Sequence, residues 1–131
     1  MRFIPPTHLS VWLSAAIILL TTGAVVAEEG QDFTLVGRWD VSLHYSPDKP
    51  PSKTELVVTA MVDGKLEGSF YGSPFSESGY TVHRGTLLFT AVTADGTGPY
   101  LHSARQVGEC LEGQTLSTGR GFLMAWTACR S

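Results

Sequence analysis

His44, His83 and His102, the histidines beyond residue 27, with the pair Cys110 and Cys129, Arg120 and a few scattered carboxylates, are the residues of this 131-residue chain with chemistry to offer. A zinc site on one helix needs two ligands a turn apart, and no two of these histidines are so spaced. No metal and no cofactor is expected. No serine stands in a Gly-x-Ser-x-Gly elbow, and no Ser, His and acid follow the order of a hydrolase triad. Asp40, Glu67 and Glu112 read as solvated strand positions rather than a glycosidase pair, whose carboxyls must be held a defined distance apart. Arg120, between Gly119 and Gly121, can meet an anion or a partner, although a loop arginine more often meets only water. A catalytic role therefore ranks behind a binding role.

The elements that must position these residues are strands. The pattern is plainest from Cys110 to Arg130. With Cys110 facing Cys129, antiparallel pairing sets Leu111 opposite Ala128, Gly113 opposite Trp126, Thr115 opposite Met124 and Ser117 opposite Phe122. Leu111, Phe122, Met124 and Trp126 then share one face, and Gly113 leaves room for the indole. Upstream, Trp39, Val41, Leu43 and Tyr45 alternate with polar residues in a first strand over about 36–45. Pro47, Pro50 and Pro51 make 46–53 a loop. Strands over 55–62 and 65–71 flank Asp63-Gly64, a two-residue hairpin turn. Counting outward pairs Met61 with Leu66, Thr59 with Gly68 and Val57 with Phe70. A loop over 72–79 leads to a short strand at 80–84 and another at 86–93. Asp95-Gly96 then turns the chain into 97–105, pairing Leu87 with Ala104, Phe89 with His102 and Ala91 with Tyr100. The expected core is Trp39, Val41, Leu43, Val57, Met61, Leu66, Phe70, Leu87, Phe89, Leu111, Phe122, Met124 and Trp126.

The first 27 residues read as a cleavable signal helix rather than as part of the fold. Arg2 gives a positive start, 11–20 is apolar apart from Ser14, and Val25 and Ala27 are the small residues before a cut ahead of Glu28. An uncleaved anchor is the alternative, but the apolar run is short for a span. Removing residues 1–27 leaves 104 of the 131, one domain over 28–131, with 8 basic against 12 acidic residues. Scattered charges with no basic patch argue against nucleic acid. No second apolar stretch would hold the processed chain to a membrane. Two cysteines in an exported chain read as a Cys110–Cys129 disulfide, in the periplasm or outside the cell.

Eight short strands joined mainly by hairpins predict an all-β fold, a single eight-stranded antiparallel up-and-down barrel, because closure removes the exposed edges of a flat meander. An outer-membrane barrel fits less well, since Glu55, Glu67, Arg84 and Glu112 are poorly placed for a lipid-facing band. Gly37-Arg38-Trp39 resembles the Gly-x-Trp opening of the calycin group: lipocalins, avidins and bacterial barrel inhibitors of metalloproteases. Val58-Thr59-Ala60, Asp63-Gly64, Leu66 and Gly68 resemble the second and third strands of avidin-type barrels. Biotin binding would need more tryptophans than Trp39 and Trp126. Thr93, Asp95-Gly96, Gly98, Tyr100, Gly119-Arg120, Phe122 and Trp126-Thr127-Ala128 resemble a family of secreted bacterial proteins of unknown function.

Two functions follow as expectations. The first is a non-enzymatic module that holds a small, mainly apolar ligand inside the barrel, in contact with Tyr100, His102, Phe89, Trp39 and Trp126. The second is a protein-interaction module, such as an inhibitor of a secreted enzyme, acting through loops 46–53 and 72–79 or the 28–33 tail.

Overall fold

The computed structural model describes residues 2–3 and 33–131. Apart from Arg2 and Phe3, the expected signal segment lies outside the described residues. Among the described residues nine strands form one antiparallel sheet: β1 (Gly37–His44), β2 (Ser52–Val62), β3 (Lys65–Phe70), β4 (Ser73–Pro74), β5 (Glu77–His83), β6 (Thr86–Asp95), β7 (Gly98–Val107), β8 (Cys110–Ser117) and β9 (Phe122–Arg130). The order across the sheet is β4-β3-β2-β1-β9-β8-β7-β6-β5, so β1 lies between β2 and the last strand.

Alternation drives the curl. Trp39, Val41 and Leu43 of β1 and Met124, Trp126 and Ala128 of β9 are buried, and the residues between them face outward. One apolar face per strand is satisfied only if the sheet wraps round it. The expected closed barrel of eight strands is corrected in two respects. Part of the predicted 72–79 loop forms β4 and the start of β5, giving nine strands. The wrapped sheet is not closed by a strand ladder, because β3 and β5 share no paired register. Their edges meet through isolated bonds. Tyr80 N donates to Gly64 O at 2.9 Å. Ser78 Oγ accepts from Leu66 N at 2.7 Å and donates to Leu66 O at 2.8 Å. One serine side chain thus occupies the place of a missing backbone pair.

The β8–β9 register is the one derived from the sequence, from Leu111↔Ala128 to Ser117↔Phe122, and Cys110 and Cys129 are disulfide-bonded. Such a bond suggests an oxidising environment, as for an exported chain. A Cβ at Gly113 would collide with the six-membered ring of Trp126. Asp63-Gly64 is a two-residue turn with φ of 51° and 76°, and Val62 pairs with Lys65.

Two registers differ from expectation. In β2 the ladder to β3 shifts between Val58 and Ala60, so Leu56 rather than Val57 faces Phe70. Leu56 and Val58 are buried, Val57 is half-buried and Thr59 is exposed. A bulge at Thr59 exchanges the faces of the strand. In β6–β7 the turn lies one residue later on each strand, so Ala91 pairs with His102 and Phe89 with Ala104. The cause is Asp95, whose Oδ1 accepts from Thr97 N at 2.8 Å and Thr97 Oγ1 at 2.6 Å. This Asx-type turn pairs Asp95 with Gly98. A shift of two preserves which side chains point inward.

The two ends of the wrapped sheet are unlike. At the end bearing the disulfide, Leu35 is fully buried and accepts from Trp39 Nε1 at 2.9 Å through its carbonyl. The Arg130 guanidinium lies 4.0 Å over the Trp39 ring and donates to the carbonyls of Val36, at 2.7 Å, and Thr34. Residues 33–36 are thereby strapped across that end as a plug. The opposite end carries the 45–51, 71–72 and 118–121 connections and the β6–β7 turn.

Candidate functional site

Between those loops is a recess of about 150 Å³. Leu43, Phe70, Phe122 and Met124 form its apolar wall, with Thr93, Tyr100, His102 and Thr115 among its polar lining. Inward-facing positions at the loop-bearing ends of β1, β3, β6, β7, β8 and β9 supply these side chains. Phe70 stacks on the His102 imidazole, with centroids 4.1 Å apart and planes 21° apart. The Tyr100 ring is parallel to the imidazole within 4°. The Asx-type turn positions Tyr100. Thr97 Oγ1 spends its proton on Asp95, so the Tyr100 hydroxyl donates to Thr97 Oγ1 at 2.8 Å. The same two Thr97 donors hold the Asp95 carboxyl below its usual pKa.

His102 is the centre of a buried polar chain. Its Nδ1 lies 2.8 Å from Thr115 Oγ1 and its Nε2 2.8 Å from Thr93 Oγ1. Trp126 Nε1 reaches Thr115 Oγ1 at 3.0 Å. An indole N–H can only donate, so Thr115 accepts from Trp126. Thr115 Oγ1 and Thr93 Oγ1 each face one ring nitrogen, and a neutral imidazole donates from one nitrogen and accepts at the other, so one threonine hydroxyl donates to the ring and the other accepts from it. Burial disfavours the imidazolium and lowers the His102 pKa to about 4, so the ring is neutral at physiological pH.

Thr93 Oγ1 and His102 Nε2 lie within hydrogen-bonding distance, as a nucleophile and its base do, but the second ring nitrogen meets the Thr115 hydroxyl rather than the carboxylate that orients the base of a triad.

Of the five residues expected round a ligand, the structure brings Tyr100 and His102 to the recess. Phe89 and Trp126 pack in the core behind it with ring centroids 6.5 Å apart, and Trp126 reaches the recess through Thr115. Trp39 lies at the opposite, plugged end. His44 and His83 are exposed at opposite ends of the fold, so the three histidines do not converge. Sequence reasoning did not single out Thr93, Thr115 or the stacking by Phe70. Their signal was position alone, since each falls on the inward parity of its strand. Arg120 stands at the rim with its guanidinium 5.1 Å above the Phe122 ring. A wider trough of about 700 Å³ runs over the outer face from β5 to β8. Its charged groups, Arg105 and Glu112, already pair with each other at 3.1 Å, and it lacks the buried polar centre of the recess.

The chain matches no protein-family model, no curated protein and no solved structure.

Proposed function

We propose that the chain is an exported, non-enzymatic binding module that holds one small, mainly apolar molecule in the recess at the open end of the curled sheet. The observation that carries this reading is the recess itself: apolar walls, a buried polar centre and a single open end opposite the plug. Ligand sites characteristically combine an apolar lining with a few fixed polar groups. Apolar cavities of roughly 150 Å³ admit a molecule the size of benzene, which bounds the ligand to about one ring with a short substituent. The imidazole, held between two threonine hydroxyls with no carboxylate bonded to its second nitrogen, favours binding over catalysis. The calycin-like opening Gly37-Arg38-Trp39 fits a carrier in the periplasm or outside the cell.

The test is native mass spectrometry of the protein exported by its own signal and purified without denaturant. Supporting outcomes are an added non-covalent mass that leaves on unfolding and a polypeptide mass cut after Ala27. A bare polypeptide that also takes up no small aromatic probe in solution overturns the reading. A hydrolytic activity abolished by His102→Ala would overturn its non-enzymatic part.

A second reading, protein interaction through the loops, is favoured by Tyr45 and Tyr71, which border the recess and are 59% and 63% exposed. Exposed tyrosines are typical anchors of protein interfaces. Ligand-free protein that captures a secreted enzyme, and loses it on Tyr45→Ala or Tyr71→Ala, would favour that reading instead.

A further inference from the structure

We infer that the molecule held in this recess is a free α-amino acid with a one-ring apolar side chain, its ring between the apolar walls, its carboxylate on Arg120 and its ammonium group on Asp95. The inference rests on the proposed binding function and names the chemical class of its ligand.

Among the side chains that line the recess two are charged, Asp95 and Arg120, one of each sign. Each is held by its own connection. Both Thr97 bonds to the Asp95 carboxylate fall on Oδ1. Arg120 N donates to Ser117 Oγ at 3.2 Å, and the guanidinium lies over Phe122, itself part of the recess wall. The two connections touch, since a Cβ at Gly119 would collide with the Thr97 carbonyl. Asp95 and Arg120 are therefore neighbours at the mouth, yet among the described residues neither forms an ion pair. The Thr97 donors, and in smaller measure the charge of Arg120, keep the Asp95 carboxyl ionised.

Two opposite charges held apart discriminate between ligands. An anion would gain Arg120 and face Asp95. A cation would gain Asp95 and face Arg120. An uncharged molecule would use neither. A zwitterion engages both, its carboxylate on the planar guanidinium fork and its ammonium group on the carboxylate. In an α-amino acid the two ions share one carbon, which leaves the side chain to enter the recess. Asp95 and Arg120 are exposed, so both ligand charges stay at the wet rim and none is buried. A space of about 150 Å³ limits the side chain to about one ring, and phenylalanine is the simplest example.

Four probes separate the possibilities: phenylalanine, 3-phenylpropanoate without the ammonium group, 2-phenylethylamine without the carboxylate, and uncharged 2-phenylethanol. Affinities are read by NMR titration of the wild-type protein, Arg120→Gln and Asp95→Asn; the asparagine keeps an Oδ1 acceptor for Thr97. Phenylalanine is expected to bind about two- to fivefold more tightly than either one-charge analogue, the worth of one exposed ion pair. Its advantage over 2-phenylethylamine disappears in Arg120→Gln, and its advantage over 3-phenylpropanoate disappears in Asp95→Asn. Both advantages shrink at high salt. A one-charge analogue that matches phenylalanine in the wild type, or tightest binding by 2-phenylethanol, overturns the inference and leaves the binding function standing. Advantages that survive both substitutions overturn the roles of Arg120 and Asp95. Failure of all four to bind overturns the binding function as well.

Discussion

Acidification should weaken this fold through His102, by an amount that the site defines. In the folded protein the imidazole titrates at about 4, because burial among Phe70, Thr93 and Thr115 disfavours its charged form. In the unfolded chain it titrates near its ordinary value of about 6.5. Between these values the unfolded state binds more protons than the folded state, so stability rises with pH through that window and falls as pH drops. Above about pH 6.5 both forms are neutral and the effect is absent; below about pH 4 both are charged and the loss is complete. One pH unit of separation is worth about 1.4 kcal/mol, so the loss is roughly 1.5 kcal/mol by pH 5.5 and about 3 kcal/mol by pH 4. Urea unfolding of the wild type and of His102→Gln at pH 7, 5.5 and 4 isolates this contribution, since other titrating groups are common to both. The gap between the two proteins should close by about 3 kcal/mol between pH 7 and pH 4. A gap that stays constant, or a folded-state NMR titration of His102 with its midpoint near 6.5, would refute the reasoning.

Three other perturbations have defined outcomes. Reducing Cys110–Cys129, whose positions are 19 residues apart, should cost about 3 kcal/mol, which for a domain of this size lowers the melting temperature by on the order of 15 °C; melts with and without reductant measure it. Gly113→Ala drives a methyl into the Trp126 ring and should destabilise the fold by roughly 1–3 kcal/mol in denaturant titrations, with altered near-ultraviolet dichroism from the displaced indole. Arg130→Lys cannot reproduce the planar fork that spans the Thr34 and Val36 carbonyls and covers Trp39. Hydrogen exchange at Leu35 and Val36 should accelerate severalfold in that variant while the β7–β8 amides stay protected.

What could be read from the chain beforehand was what short-range rules control. Asp63-Gly64 gave its turn because both residues tolerate positive φ, and the β8–β9 register followed from requiring Cys110 to meet Cys129 with Gly113 under the indole. Asp95-Gly96 misled because the Asp95 side chain captures Thr97 and moves the turn one residue along. β2 offered apolar residues on both faces, Leu56, Val58 and Val62 against Val57 and Met61, so periodicity could not reveal the bulge at Thr59. The number of strands and the failure of the sheet to close depend on β3 meeting β5, a long-range event mediated by Ser78. In the recess, His102 and Tyr100 stood out by residue type. Thr93 and Thr115 did not, because a threonine in a strand looks like any β-branched residue until its hydroxyl is seen to have a partner.

The position of β1 between β2 and β9 governs when this molecule can come into being. Trp39 pairs across the sheet with Leu56 on one side and Arg130 on the other. A growing polypeptide that has not yet delivered Phe122–Arg130 leaves β1 and β8 with raw edges, Trp39 without its cationic cover and the 33–36 plug without its strap. Such long-range pairing makes assembly slow and postpones it until β9 has been made. Under the export proposed above this delay would be useful, since a thread that cannot finish folding early can still pass through a translocation pore. The disulfide lies beside that last-formed seam, where oxidation would fasten the newly completed sheet.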